Sequence, residues 1–194
     1  MSPLIGKLLA VIHGVAMLVL VVGPSGAGKD TLLNAARQAL AGDLRFRFVR
    51  RVITRPADPS GEDHEPVSDA DFAARNFALQ WQAHGLRYGI PADIVDDLAA
   101  GKVVIANVSR AVIAEAATRF PVRVIEITAA PQVLAARLAA RGRETAADIA
   151  GRLARSVPLP AHVVAETVLN DATPEIGIER FLAALSRAAS DVQQ

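Results

Sequence analysis

The order of an apolar run, a glycine-rich loop and an amphipathic segment constrains the fold of this chain most. Six apolar residues, 17–22, precede Gly-Pro-Ser-Gly-Ala-Gly-Lys at 23–29, and apolar residues between 32 and 40 recur at helical spacing. A buried strand, a glycine loop and a helix in this order form the context of a phosphate-binding loop. The glycines let successive backbone N–H groups face an anion, and the helix N-terminus adds partial positive charge.

This loop predicts a nucleotide site, with ATP as the nucleotide. Lys29 is placed to reach the β- and γ-phosphates. The next residue is commonly Ser or Thr, whose hydroxyl binds Mg²⁺, but here it is Asp30, followed by Thr31. Because carboxylates are good Mg²⁺ ligands, we predict that Asp30 and Thr31 help to place the metal; the alternative is that Asp30 only favours the first helical turn. The predicted nucleotide-binding residues are Gly23, Pro24, Ser25, Gly26, Ala27, Gly28, Lys29, Asp30 and Thr31.

The length and composition indicate one domain. The chain has 194 residues, of which 52% are hydrophobic, so it can fill a substantial core. We predict a single kinase domain over 17–194 after an extension at 1–16, with Met17 open as an alternative start. The absence of cysteine excludes disulfides and suits the cytoplasm. A net charge of +1 gives no general attraction to nucleic acid. The apolar stretch 4–22 contains Lys7 and runs into the loop, which argues against a membrane segment.

Alternating strand and helix patterns predict an α/β fold with a mainly parallel central sheet and flanking helices. After the first strand and helix, the strands are predicted at 46–52, 77–83, 102–108, 122–128 and 163–169. The helices are predicted at 69–75, 91–100, 109–119, 131–141 and 174–189, and residues 54–68 form an irregular loop. Residues 54–91 are predicted to bind the acceptor, and residues 142–156 are predicted to form a lid.

Arginines near residue 140 are candidates for stabilising a transferred phosphoryl group. Arg137 and Arg141 share one helix face, Arg143 follows, and Arg152 lies in the predicted lid. Like charges at this spacing repel, which favours an anion between them. Arginines neutralise charge on the moving group in phosphoryl transfer. The alternative is a solvated basic face.

A second polar cluster predicts an acceptor that carries more than one phosphate. Several of its members follow strands, where open α/β sheets bind ligands. The predicted acceptor-binding residues are Arg51, Thr54, Arg55, His64, Gln80, Arg87, Tyr88, Asn107, Ser109 and Arg110. Core packing is an equal alternative for Trp81, and a satisfied surface or loop histidine is an equal alternative for His64. Asp30, Glu62, Asp63 and Asp93 are candidates for a general base, but none is compellingly placed. This favours transfer onto a phosphate, whose oxygen is already ionised.

The loop, Thr54-Arg55, Tyr88-Gly89 and Leu134-x-x-Arg137-Leu138-x-x-Arg141-Gly142 together resemble the guanylate kinase fold. The resemblance covers about residues 17–187. Four positions depart from it, because guanylate kinases carry an arginine at Asp58, a tyrosine at His64, a glutamate at Gln80 and a hydroxyl residue at Ile90. The loss of these polar readers predicts that guanine is not recognised.

The variant pattern is similar to that of the ribose 1,5-bisphosphate phosphokinase family. The similarity rests on residues 28–31, 50–58, 61–64 and 80–91 and on Asn107-x-Ser109-Arg110. It implies ATP-dependent phosphorylation of ribose 1,5-bisphosphate to 5-phospho-α-D-ribose 1-diphosphate in phosphonate breakdown. It also implies Asp30 as the usual residue after the lysine. A nucleoside monophosphate kinase and a non-catalytic interaction module stay open as alternatives.

Overall fold

A computed structural model of the chain describes residues 16–57, 62–140 and 159–190. The strands are β1 (Met17–Val22), β2 (Phe46–Phe48), β3 (Arg51–Ile53), β4 (His64–Pro66), β5 (Phe77–Ala83), β6 (Leu86–Pro91), β7 (Val103–Asn107), β8 (Val122–Thr128) and β9 (Val164–Leu169). The helices are α1 (Lys29–Ala39), α2 (Asp69–Ala73), α3 (Ile94–Ala99), α4 (Ile113–Arg119), α5 (Pro131–Ala140) and α6 (Pro174–Ser190).

A parallel sheet of five strands in the order β2-β7-β1-β8-β9 forms the centre of the molecule. Its middle strand β1 is almost wholly buried, as expected for an apolar strand covered on both faces. Leu18 and Leu20 pack with α3 and α4, whereas Val19 and Val21 pack with α1 and α6. The predicted mainly parallel central sheet with flanking helices is confirmed.

A second sheet, in the order β4-β3-β6-β5, stands beside the central one. The sequence predicted one strand over 46–52, and this was wrong. The chain leaves the central sheet after Val49, whose N–H donates to the Ile105 carbonyl, and β3 joins the small sheet. Strand β4 lies inside the predicted irregular loop. It was not predicted because three residues that include a proline show no alternation of apolar and polar side chains.

Strand β6 was not predicted, and the helix predicted from residue 91 begins only at Ile94. A tight turn with positive φ at His84 (53°) and Gly85 (72°) folds β6 back onto β5. Strand β6 pairs with β5 as far as Pro91, so the first residue of the predicted helix belongs to a strand.

Several predictions lie outside the described residues: the extension up to residue 15, the lid at 142–156, Asp58, Arg141, Arg143 and Arg152. Across the described ranges, no helix has both the length and the apolar character needed to cross a membrane.

Candidate active site

The glycine loop is pressed against the neighbouring strand β8. A Cβ at Gly23 would lie 2.0 Å from the Ile127 carbonyl oxygen, so only glycine permits this approach. Lys29 Nζ donates to the carbonyl oxygens of Gly23 (2.7 Å) and Pro24 (3.0 Å). The lysine ammonium therefore lies across the loop, where successive N–H groups and the α1 N-terminus favour an anion.

Asn170, which directly follows β9, supports the loop from beneath. It is buried, and its Nδ2 donates to the Ala27 carbonyl oxygen at 2.8 Å. Gly28 has a φ of 86°, and a Cβ there would lie 2.4 Å from Asn170 Nδ2. On the α5 side, Arg137 Nη1 lies 3.5 Å from the Gly26 carbonyl oxygen. The loop conformation thus depends on residues distant in sequence.

Asp30 and Asn107 meet beside the loop. The pairing of β1 with β7 aligns Asn107 with Val21, and Asn107 Nδ2 donates to Asp30 Oδ1 at 3.3 Å. In many P-loop enzymes a hydroxyl follows the lysine and an aspartate on another segment completes the Mg²⁺ site. Here a carboxylate follows the lysine, and a carboxamide lies on the strand. This donor set suits Mg²⁺ held by a nucleotide and one carboxylate.

The loop opens into a cleft of about 310 Å³ between the two sheets. This volume is at the lower end of the range for small-molecule sites. Its lining combines the loop with residues of the small sheet and the end of β7. Beyond the loop, the lining includes Asp30, Thr31, Arg51, Arg55, Glu62, Trp81, Tyr88, Asn107 and Ser109. The cleft therefore brings the predicted nucleotide site and part of the predicted acceptor site together.

Arg51 is held rigidly on one wall of this cleft. Trp81 and Tyr88 face each other across β5 and β6, with ring centroids 5.3 Å apart and planes 5° apart. Arg51 Cζ lies 5.5 Å from the Tyr88 centroid and 6.0 Å from that of Trp81. Arg51 Nε also donates to Glu62 Oε1 at 2.5 Å, and its Nη2 pairs with Glu62 Oε2. Aromatic contact and a two-point ion pair thus fix the guanidinium.

Arg55 has a donor that the described residues leave unused. Its Nε is buried and has no hydrogen-bond partner in 16–57, 62–140 or 159–190. Its Nη2 lies 3.3 Å from His64 Nδ1 and 3.7 Å from Glu62 Oε2. Arg55 also lines the cleft, so its guanidinium group adds positive charge there, which favours an anionic ligand.

His64 lies inside the wall instead of facing the cleft. Its side chain is buried, with Nε2 3.0 Å from the Arg55 carbonyl oxygen and Nδ1 2.9 Å from that of Glu62. It therefore joins the two ends of the segment that carries Arg55 and Glu62. We assign it a positioning role in place of the ligand contact that the sequence suggested.

Three other predicted acceptor residues lie elsewhere. Gln80 and Arg87 are on the opposite face of the small sheet from Trp81 and Tyr88, because side chains alternate along each strand. Arg87 Cζ lies 4.5 Å above the Phe72 ring. Arg110 is ion-paired with Glu126 of β8. The roles predicted for these residues in acceptor binding stay predictions, and strand register directs the side chains of Gln80 and Arg87 away from Trp81 and Tyr88.

Thr54 connects two strands. Its Oγ1 accepts a hydrogen bond from the Arg87 N–H at 2.9 Å, and its own N–H donates to the Arg87 carbonyl oxygen. By contrast, five of the predicted acceptor-binding residues line the cleft: Arg51, Arg55, Tyr88, Asn107 and Ser109. The sequence did not single out Asn170 as a site residue, and it raised Glu62 only as a candidate base. A polar residue directly after a predicted strand was the available signal for Asn170.

An ion-pair cluster ties the segment beside Glu62 to the helix after the loop. Asp63 accepts from Arg37 Nη1 of α1 at 2.9 Å and from Arg50 Nε at 2.8 Å. Burial raises the pKa of Asp63, but the two guanidinium groups outweigh it and hold the pKa below 3.8. These ion pairs therefore link the segment beside Glu62 to helix α1, which follows the glycine loop.

No protein-family model matches the chain. A protein of Acidiphilium cryptum named ribose 1,5-bisphosphate phosphokinase PhnN is 60% identical over 171 residues, which are 88% of this chain and 92% of that protein. This chain belongs to the ribose 1,5-bisphosphate phosphokinase family. A bifunctional ribose 1,5-bisphosphokinase-thymidine phosphorylase of Azorhizobium caulinodans is 52% identical over 90% of this chain, which spans only 26% of that longer protein.

Solved structures agree with the fold of this family member. The guanylate kinase of Anaplasma phagocytophilum superposes with a TM-score of 0.58 at 17% identity, over 91% of this chain and 88% of that one. At this identity the likeness concerns the fold, and it confirms the predicted guanylate-kinase-like architecture.

Proposed function

We propose that this chain transfers the γ-phosphoryl group of ATP to the C1 phosphate of ribose 1,5-bisphosphate. An oxygen of the C1 phosphate forms a bond to the γ-phosphorus, and the bond from that phosphorus to the β,γ-bridging oxygen breaks. ADP leaves with the electron pair, and the product is 5-phospho-α-D-ribose 1-diphosphate. We place this reaction in the cytoplasm and in phosphonate catabolism, as the family resemblance implies.

The observation that carries this proposal is that a phosphate loop and a second cationic residue, Arg55, line one cleft. Lys29 and the loop N–H groups form one anion site, while Arg55 offers positive charge on the small-sheet side of the same cleft. Two polyanions repel each other, so bringing them together requires fixed positive charge of the protein beside each of them. Family membership supports ribose 1,5-bisphosphate as the second polyanion.

The proposed reaction needs no general base, and the cleft supports this. Its two best placed carboxylates are already engaged, Asp30 with Asn107 and Glu62 with Arg51. A phosphate acceptor is ionised at neutral pH and attacks without losing a proton. An alcohol acceptor would require a carboxylate positioned to take its proton.

Asp30, Thr31 and Asn107 are the residues that would hold Mg²⁺ with the nucleotide. The metal, when bound, neutralises charge on the β- and γ-phosphates. The described residues contain no group of three or more His, Cys, Asp or Glu side chains that could hold a metal ion. Phosphate oxygens would therefore supply ligands beside Asp30, and Asn107, which donates to Asp30 Oδ1, would hold that carboxylate in place.

Arg137 is proposed to stabilise the moving phosphoryl group, together with Arg141, Arg143 and Arg152. Arg137 approaches the loop at the Gly26 carbonyl oxygen, next to the proposed phosphate site. From this position it can share charge with the equatorial oxygens during transfer. Closure over the nucleotide would also exclude water, which otherwise competes as the acceptor.

An acceptor screen tests the proposal. Purified protein with Mg·ATP is offered ribose 1,5-bisphosphate, ribose 5-phosphate and GMP, and ADP formation is followed in a coupled assay. Product identity is read by ³¹P NMR, where a new diphosphate doublet pair is expected only with ribose 1,5-bisphosphate. Faster turnover of GMP would replace the proposal with a nucleoside monophosphate kinase.

A lysine exchange tests the assigned loop chemistry. Lys29→Ala is expected to lower kcat by a factor on the order of 10²–10³, because it removes a cation from the transferred group. Lys102→Ala is the matched control, since Lys102 is paired with Asp97 at 2.8 Å outside the cleft. Equal activity in the two variants would contradict the role of Lys29.

A further inference from the structure

Glu62 is a carboxylate in a cleft that has to accept a highly anionic sugar. Its side chain is 16% exposed and lines the same cleft as Lys29 and Arg55. A fixed negative charge repels nearby phosphate groups, so an unpaired Glu62 would oppose binding. Pairing with Arg51 neutralises it, and this indicates that the phosphates lie elsewhere along the cleft.

The contacts of Glu62 leave part of its hydrogen-bonding capacity open. An ionised carboxylate offers about four lone-pair sites on two oxygens. Arg51 occupies one site on each oxygen through Nε and Nη2, and Arg55 Nη2 stands 3.7 Å from Oε2. With respect to residues 16–57, 62–140 and 159–190, each oxygen therefore retains acceptor capacity toward a ligand in the cleft.

The chemistry of the acceptor identifies what can use this capacity. At neutral pH the two phosphates of ribose 1,5-bisphosphate are mainly ionised and act as acceptors. The 2- and 3-hydroxyls are then the donors that the sugar offers. Arg51 is fixed against Trp81 and Tyr88. The Glu62 carboxylate that is paired with it is therefore preorganised to accept hydrogen bonds from these hydroxyls.

Resting on the proposed function, we propose that Glu62 accepts hydrogen bonds from the 2,3-diol of the pentose. Glu62 is thereby the residue that selects ribose over deoxyribose in the acceptor. Arg51 holds Glu62 in place, while Arg55 and the loop hold the phosphates. The sugar is thus recognised by its hydroxyl groups, although the fold resembles that of guanylate kinases, which recognise a nucleobase.

The test is a cycle of enzyme and substrate variants. Wild type and Glu62→Gln are each assayed with ribose 1,5-bisphosphate and with its 2-deoxy and 3-deoxy analogues at saturating Mg·ATP. Wild type is expected to prefer the full diol by about 10–100-fold in kcat/KM, the range for hydrogen bonds to a charged group. In Glu62→Gln the preference is expected to fall below about 3-fold.

Glu65→Gln is the matched control. Glu65 is also paired with an arginine, Arg75 at 2.5 Å, but belongs to the surface of the small sheet. This variant is expected to keep the wild-type preference. If Glu62→Gln slows all three acceptors by the same factor, the residue acts only through Arg51 and the inference fails.

Wild type alone can also overturn the inference, so a variant that fails to fold does not leave it untested. Equal use of the deoxy analogues by wild type would overturn the reading of the diol while leaving the proposed function intact. Absence of turnover with ribose 1,5-bisphosphate itself would instead overturn the proposed function. The two failures are therefore distinguishable in one set of assays.

Discussion

Replacing Gly28 with alanine is expected to destabilise the protein by more than the same change at Gly85. Both glycines have positive φ, 86° and 72°, so each alanine incurs a left-handed backbone cost of about 1–2 kcal/mol. At Gly85 a new Cβ has no neighbour within 4 Å among the described residues, whereas at Gly28 it lies 2.4 Å from Asn170 Nδ2. The second contact adds an overpacking cost.

The magnitude of that added cost follows from how firmly Asn170 is held. Its Nδ2 donates to the Ala27 carbonyl oxygen, and its N–H donates to the Thr128 carbonyl oxygen at 2.7 Å. It cannot retreat without breaking a buried hydrogen bond, so we expect about 1–3 kcal/mol beyond the φ cost. Gly28→Ala should therefore lower the free energy of unfolding by about 2–5 kcal/mol.

Urea unfolding of four variants measures this: Gly28→Ala, Gly85→Ala, Asn170→Ala and the double variant at 28 and 170. Asn170→Ala alone is expected to cost about 1–3 kcal/mol, because the Ala27 carbonyl loses its partner. In the double variant the added Cβ no longer meets Asn170. Its loss in free energy of unfolding should therefore be about 1–3 kcal/mol smaller than the sum of the two single losses. Additive losses, or equal losses at Gly28 and Gly85, would refute the argument.

Three further predictions concern the cleft and its surroundings. Arg51→Lys should raise KM for the acceptor about 10-fold or more with little change in KM for ATP, because lysine cannot form the two-point contact with Glu62. An unchanged KM for the acceptor in Arg51→Lys would contradict this prediction. Asn107→Asp should lower Tm without metal, since a carboxylate then faces Asp30, and Mg²⁺ should restore Tm; thermal scans with and without Mg²⁺ decide this. Asp63 has a lowered pKa in the folded state, so its ion pairs stabilise the fold above pH 3.8 and are lost as pH falls through the lower folded pKa. Asp63→Asn should therefore remove up to about 1 kcal/mol at neutral pH and less in acid, as measured by urea unfolding.

The sequence predicted the central sheet well because its signals are local. An apolar run such as β1 must be buried on both faces, and a helix must follow the glycine loop if the loop is to bind phosphate. The small sheet was predicted poorly for the converse reason. Strands β3 and β4 are three residues long, and their partners are chosen by contacts across the chain.

The candidate site divides in the same way. Residues of the loop were identified with their positions because the motif fixes both. Arg87 and Gln80 were grouped with Tyr88 from the sequence, but they lie on the other face of the small sheet, since the register of β5 against β6 decides which side chains share a surface. His64 was identified as polar and near the acceptor, yet only its burial shows that it holds the wall together.

The sequence by itself predicted a phosphate-binding loop at the end of the first strand, because a glycine-rich loop between a buried strand and a helix is the context of that motif. It also determined that guanine readers are missing. Tertiary structure alone decided that Asn170 supports the loop, that Asp30 meets Asn107, and that Arg51 and Glu62 form a fixed unit on Trp81 and Tyr88. Such contacts join residues far apart in the chain, and only strand order and register bring them within hydrogen-bonding distance.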